Sequence, residues 1–460
     1  MYKNSSSAPA AEGRRIMKSV HSVNMTEGHP LPILLTFAIP LFISNLFQQV
    51  YNMIDTMVVG QFVGANALAA VGSTGSITNI FFALNSGLAS GIGIITAQHF
   101  GARNDAMVRK SIVTCLYLMS ITALAMGGLG FLLSPALLRL LDTPPAILAD
   151  AVLYMRISCL GLPATAIYNA LSALLRATGN SKTPLLFLIA ASVINLVLDL
   201  AFVVFLHWGV AGVAFATILA QLFSAAACAA YVMKKEPCFH IPKAEWKYDR
   251  ALGRQAVCLG VPLALQSSMI SVSCLALQRV VNGFGETVVA ALTAGNRYES
   301  FVHLPLSSLG IALSTFTSQN IGAGKKERVT HGLRAGISAG LLYVLLMIPV
   351  TMLFGSGIIR FFTSDADVIA IGAAGIFTSA FFYIPLCIVH TTRGTINGAG
   401  DPGFSLLTGM VEVAARICLS APVTAAAGFR GIWLTSGATW TFCAILGLVR
   451  CYSLFFKNNS

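Results

Sequence analysis

Twelve apolar stretches follow one another along this chain with little between them, each long enough to cross a bilayer. They fall at about 33–58, 67–97, 110–133, 147–175, 184–206, 209–233, 252–276, 288–320, 332–354, 366–392, 403–425 and 431–455. A membrane-crossing helix needs roughly 20 mostly apolar residues, and unbroken runs of this length exclude the alternating ten-residue pattern of a transmembrane β-barrel. Only 10% of the residues are charged and 56% are hydrophobic, whereas a soluble domain carries about 25% charged residues. The fold class is therefore an all-α integral membrane protein with twelve transmembrane helices, and a water-soluble enzyme is excluded.

The net charge of +12 reflects topology and does not mark a nucleic-acid partner. Of the 29 lysines and arginines, 22 fall in the tails and loops on one side of the spans, and only Arg139, Arg279, Arg360 and Arg430 fall on the other. By the positive-inside rule both termini lie in the cytoplasm of a multi-pass plasma (inner) membrane protein. The first 30 residues are polar, Ser-rich and basic, without the apolar core of a cleaved signal, and read as a disordered cytoplasmic tail, as does 456–460. None of the ten cysteines forms a Cys-x-x-Cys pair, and most sit inside apolar spans as reduced packing residues.

The two halves repeat each other. Residues 97–102, Ala-Gln-His-Phe-Gly-Ala, return as Ser-Gln-Asn-Ile-Gly-Ala at 318–323. The offset of 221 that joins Gly101 to Gly322 also joins Gly64 to Gly285 and Gly179 to Gly400, while Gly209 and Gly212 match Gly428 and Gly431 at 219. Several matches in one register indicate a duplicated six-helix unit: an N-lobe over 31–233 and a C-lobe over 252–455, joined by a polar cytoplasmic linker at 234–251. Six spans return the chain to its starting side, so the repeats are parallel, an arrangement suited to alternating access in a transporter. Pro40, Pro163, Pro262 and Pro385 recur at nearly the same register within spans, where each removes a helix hydrogen bond, and mark helices that bend.

Ionisable groups at membrane depth are costly and each is a functional candidate. The acids there are Asp55, Asp199, Glu299 and Glu412; the bases are Arg156, Arg297 and Arg416. Gln48, Tyr51 and Asp55 share one helix face, and Asn195 and Asp199 repeat the four-residue spacing in the fifth span. Two carboxylates facing one buried pocket cannot both ionise cheaply, so the pair can hold a proton or a cation such as Na⁺; the alternative is that Asp55 lies solvated near the outer interface. The second half does not repeat the pair. Glu412 and Arg416, four apart, are either an internally neutralised ion pair or substrate-facing, and Arg297 with Glu299 poses the same choice. Gln48, Asn52, Glu299, Glu412, Arg416 and the ring of Tyr298 are candidates for lining a substrate cavity.

Tyr51-Asn52-x-x-Asp55-Thr56 followed by Gly60-x-x-x-Gly64, then Gln98-x-x-Gly101-Ala102, Arg176-Ala177-x-Gly179-Asn180 and Asn195-x-x-x-Asp199, ending with Gly428-x-x-Gly431-Ile432-Trp433, resemble in order and spacing the multidrug and toxic compound extrusion (MATE) transporters, and most closely their DinF-like branch. The resemblance spans roughly 30–455. It implies two six-helix lobes in a V and export of amphipathic organic cations by antiport with H⁺ or Na⁺. It also implies a cation site at Tyr51, Asp55, Asn195, Asp199 and Thr217, with Tyr154 beside it, where Na⁺ would sit on Asp55, Asn195, Asp199 and Thr217. The acids that a NorM-type C-lobe site places on helices seven and ten are missing here: Ser267, Ser268, Ile270 and Leu386 stand around those places. A lipid-linked precursor flippase of the same superfamily is the alternative. No cofactor is implied, no Gly-x-x-x-x-Gly-Lys-Ser/Thr motif for ATP is present, and the chain reads as a monomeric transporter, not an enzyme.

Overall fold

The computed structural model of the chain describes residues 23–457. Among them there are thirteen long helices and no strand: α1 (Pro30–Val58), α2 (Ala65–Gly101), α3 (Asp105–Leu140), α4 (Pro145–Ala177), α5 (Lys182–Leu200), α6 (Gly209–Lys235), α7 (Arg250–Asn282), α8 (Glu286–Gly322), α9 (Lys326–Arg360), α10 (Ala366–Ala380), α11 (Tyr383–Gly398), α12 (Pro402–Ala427) and α13 (Arg430–Phe455). Each of the twelve expected spans falls on these helices, the tenth on α10 and α11 together. Among the described residues ten helices are long and apolar enough to cross a membrane, and α10 with α11, bent by 56° at their break, passes the same test as a pair. The remaining expected span, the eighth at 288–320, coincides with α8, which at 37 residues is long enough. It carries Glu286, Arg297, Glu299 and His303 along its length.

The tenth span breaks for a local reason. Pro385 is the third residue of α11, in the turn that follows the break at Phe381–Phe382. Its ring fits a helix start, where no intrahelical donor is needed. Pro385 thus stands just after the bend, as a helix-initiating residue of α11, not within one continuous helix. Pro40, Pro163 and Pro262 do lie inside α1, α4 and α7.

The chain forms two compact units. One contains Phe47–Phe81 and Ala102–Gln255; the other contains Met25–Leu46, Phe82–Gly101 and the chain from Ala256 on. In the first, Ile77, Leu138, Met155 and Cys159 form one core, and Val58, Val59, Val203, Val210 and Val213 a second. In the second unit, Leu34 and Phe37 of α1 pack on Leu313 and Phe316 of α8. Residues 1–22 of the expected disordered tail lie outside the described residues, but Met25 and Thr26 are buried, and the Met25 N–H donates to Gln319 Oε1 at 3.3 Å. Leucines and phenylalanines such as Leu132, Leu353 and Phe361 are more than 70% exposed, as residues bathed in hydrocarbon are.

The repeat is visible in backbone detail. Gly64 and Gly285 have φ of 113° and 91°, Gly179 and Gly400 have 89° and 81°, and Gly209 and Gly428 have 55° and 60°. After the second of these pairs, Asn180 Oδ1 accepts from Thr183 N at 3.1 Å and Asp401 Oδ1 from Phe404 N at 3.3 Å. The same side-chain bond thus opens α5 and α12.

Candidate functional site

Four helices of the first unit bring together all six residues expected to hold the coupling ion. Tyr51 and Asp55 lie one turn apart on α1, Asn195 and Asp199 one turn apart on α5, Tyr154 on α4 and Thr217 on α6. Asp199 is fully buried, Asn195 is 1% exposed and the other four are half-buried. Asp55 Oδ1 itself is buried.

The polar contacts form a chain. Oriented to satisfy both neighbours, the Asn195 amide donates from Nδ2 to Asp199 Oδ2 at 2.8 Å and accepts at Oδ1 from Thr217 N at 3.2 Å. Thr217 Oγ1 donates to Val213 O at 3.0 Å, which leaves its lone pairs for the Tyr51 hydroxyl beside it. Tyr154 lies near both carboxyls. The Asp55 and Asp199 carboxyls are in hydrogen-bonding reach of each other, and Oδ1 of each is buried without another partner. Ionised carboxylates only accept hydrogen bonds, so two of them in contact require either a shared proton or a cation between their oxygens.

Both helices that carry these aspartates widen immediately after them. Val59–Val63 and Ala201–Phe205 are single π-helical segments, closed by Gly64 N to Val59 O at 3.1 Å and Leu206 N to Ala201 O at 3.0 Å. Such segments occur often at functional sites. They begin four residues after Asp55 and two after Asp199. No residue pattern singles them out in advance, although Gly64 and the Gly60-x-x-x-Gly64 spacing lie at the first.

The substrate-cavity candidates separate into two places. Gln48 is half-buried and Asn52 exposed on α1 of the first unit. The others lie in the second unit, where Glu412 of α12 is held between two arginines. Arg393 Nη2 lies 3.3 Å from Oε2, and Arg416 Nη2 lies 3.5 Å from Oε1. Arg416 Nη1 also donates to Ser273 Oγ at 2.8 Å and contacts Cys274 Sγ at 3.1 Å. Glu412 is thus an internally paired residue.

Three further placements correct the linear reading. Arg393, read as a loop residue, lies inside α11 and completes the triad. Arg297 and Glu299 do not pair: Arg297 is exposed and Glu299 is 8% exposed, because helix positions two apart point to different faces. Tyr298 is enclosed in an apolar core with Val302, Leu306 and Tyr383, and its hydroxyl is bonded to Thr351, so its ring is not an open wall for a ligand in this structure.

The MatE family model matches the chain twice, over residues 40–201 and 262–421, once in each sequence repeat. The chain is 33% identical over 424 residues to the "Probable multidrug resistance protein YpnP" of Bacillus subtilis (strain 168), covering 91% of this chain and 94% of that protein. It is 26% identical over 377 residues to the "Probable multidrug resistance protein NorM" of Thermotoga maritima, covering 80% of each. Among solved structures, one described as MATE in the bent conformation superposes with a TM-score of 0.90 at 22% identity, covering 96% of this chain and all of that one.

Proposed function

The chain belongs to the MatE family of membrane transporters, and from that premise we propose that it is a secondary active multidrug exporter that moves amphipathic organic cations by antiport. The observation that carries the coupling part is the Asp55–Asp199 pair. Two buried carboxyls within reach of each other, each with a free oxygen, make a site that must be occupied by H⁺ or Na⁺ to be inexpensive at membrane depth. Tyr51, Asn195 and Thr217 supply neutral oxygens and fix the orientation of the carboxyls, and Tyr154 closes the pocket.

The two repeats, 31–233 and 252–455, act as the lobes of an alternating-access cycle, with both termini on the cytoplasmic side. The expelled cation and the coupling ion are linked through the charge of the aspartate pair. A ligand that prefers the ionised pair lowers affinity for the coupling ion, and the ion lowers affinity for that ligand by the same factor.

The deciding measurement is uptake of ethidium into everted membrane vesicles under an imposed ΔpH or ΔpNa. The expected result is ethidium accumulation driven by one of these gradients and lost in Asp199→Asn. Accumulation that follows neither gradient, or that persists in Asp199→Asn, overturns antiport through this site.

A further inference from the structure

The second unit contains its own unmatched carboxyl. Glu299, on α8, is 8% exposed, and its Oε1 has no hydrogen-bond partner; Ser379 Oγ, on α10 beside it, has none either. Arg416 of α12 is its nearby countercharge, but both terminal nitrogens of that guanidinium are already engaged by Glu412, Ser273 and Cys274. The remaining donor, Arg416 Nε, is buried without a partner.

The local charge count shows why this arrangement is poised. Arg393, Glu412 and Arg416 together carry one surplus positive charge in the interior of a membrane protein. An ionised Glu299 cancels that surplus but leaves its own Oε1 unsatisfied, and the buried hydroxyl of nearby Tyr383 also lacks a partner. A protonated Glu299 removes the orphan anion but leaves the triad's charge uncompensated. Burying either charge unpaired is expensive, and the two costs oppose each other. A small movement of α8 against α12 would decide between them.

We propose that Glu299 is a second proton-carrying residue of the transport cycle, with the Arg393–Glu412–Arg416 triad as its fixed countercharge. The other titratable groups near it are His303, one turn along α8, and His390 of α11, whose Nε2 lies 3.4 Å from His303 Nδ1. The two imidazoles hydrogen-bond to each other, and His303 packs on the Trp440 ring with centroids 5.5 Å apart, so neither ring is aimed at Glu299 as a counterion. The acids that would flank an ion site on α7 and at Leu386 are absent from this chain, which leaves Glu299 and Glu412 as the buried carboxyls described in this unit. Glu412 is excluded as the proton carrier because both its oxygens are salt-bridged. Each cycle then exchanges one proton more than the Asp55–Asp199 pair alone provides.

This inference rests on the antiport reading above, taken with H⁺ as the coupling ion, and its test separates the two. The full chain is reconstituted in lipid and acid-minus-base infrared difference spectra are recorded in the protonated-carboxyl region for the wild type, Asp199→Asn and Glu299→Gln. The expected result is a carboxyl band that disappears in Glu299→Gln and survives in Asp199→Asn. In weakly buffered detergent solution, ethidium binding to Glu299→Gln should release one proton fewer than binding to the wild type. Ser379→Ala, which leaves the carboxyl in place, should shift that band without removing it, which keeps the assignment testable if Glu299→Gln folds poorly. A Glu299→Gln spectrum identical to the wild type, with unchanged proton release, overturns the proposal. Loss of no band in Asp199→Asn overturns the aspartate-pair reading instead and leaves the Glu299 band to be judged separately.

Discussion

Gly101 and Gly322 hold α2 and α8 together in a reciprocal crossing. A Cβ on Gly101 would overlap the backbone carbonyl of Gln319, and a Cβ on Gly322 would overlap that of Gln98. Each glycine thus lies against the glutamine of the other copy of the repeated Gln-x-x-Gly motif. The obstacle is main chain on both sides, so no side-chain rotation can relieve it.

Gly101→Val should therefore force the helices apart. Overpacking costs about 1–3 kcal/mol where side chains can adjust, and rigid backbone places this site at or above the upper end. The measurement is the melting temperature of detergent-solubilised protein. Gly128→Ala is the control: it also lies in a helix, but no atom comes within 4 Å of the added methyl, and its stability should be unchanged or raised by about 0.5–1 kcal/mol.

Asp199→Asn keeps the side-chain volume and removes the titratable charge, so ion-driven efflux should vanish while expression and melting temperature hold. Thr217→Ala removes one neutral oxygen from the same site. Loss of one hydrogen bond is worth about 0.5–1.5 kcal/mol, so affinity for the coupling ion should fall by up to about tenfold, with transport retained at high ion concentration. Equal effects of the two substitutions would show that Asp199 acts by geometry alone.

Pro40 lies 15 residues before Asp55 on α1, and the Ser44 hydroxyl donates to its carbonyl at 2.9 Å. Proline removes the hydrogen bond to the preceding turn and a serine bonded back to a carbonyl favours bending, so this is the weakest point of the helix. Pro40→Ala should leave ethidium binding intact and flatten its pH dependence. Binding and transport with the wild-type pH profile would reduce the proline to a packing residue.

Glu412→Gln should be the most destabilising of the single-atom changes. It strands Arg393 and Arg416 together in the interior without their shared carboxylate, and breaking a buried ion pair from one side costs about 3–5 kcal/mol. A large drop in melting temperature is expected, with Glu412→Asp recovering part of it. A stable Glu412→Gln protein with altered substrate preference would instead place Glu412 against the substrate.

Single cysteines at Ser6 and Ser460, in a background without the natural cysteines, should react with a membrane-impermeant maleimide only in everted vesicles. Labelling of either in intact cells would reverse the assignment of sides drawn from the charge bias.

The linear chain determined a great deal, because the bilayer permits few solutions. Apolar runs of about 20 residues can only be helices there, so the spans, the repeat and the glycine pairs at positive φ were legible from residue types and offsets. So were the faces: Tyr51 with Asp55 and Asn195 with Asp199 follow from helical periodicity. Which helices meet does not follow from periodicity. Only the tertiary structure set Arg393 on Glu412, turned Arg297 away from Glu299, enclosed Tyr298 in an apolar core and placed Thr217 N on Asn195. The π-helical segments after the two aspartates were likewise visible only in the folded chain. Spacing along one helix fixes the direction in which a side chain points, and contact with another helix fixes what it meets there.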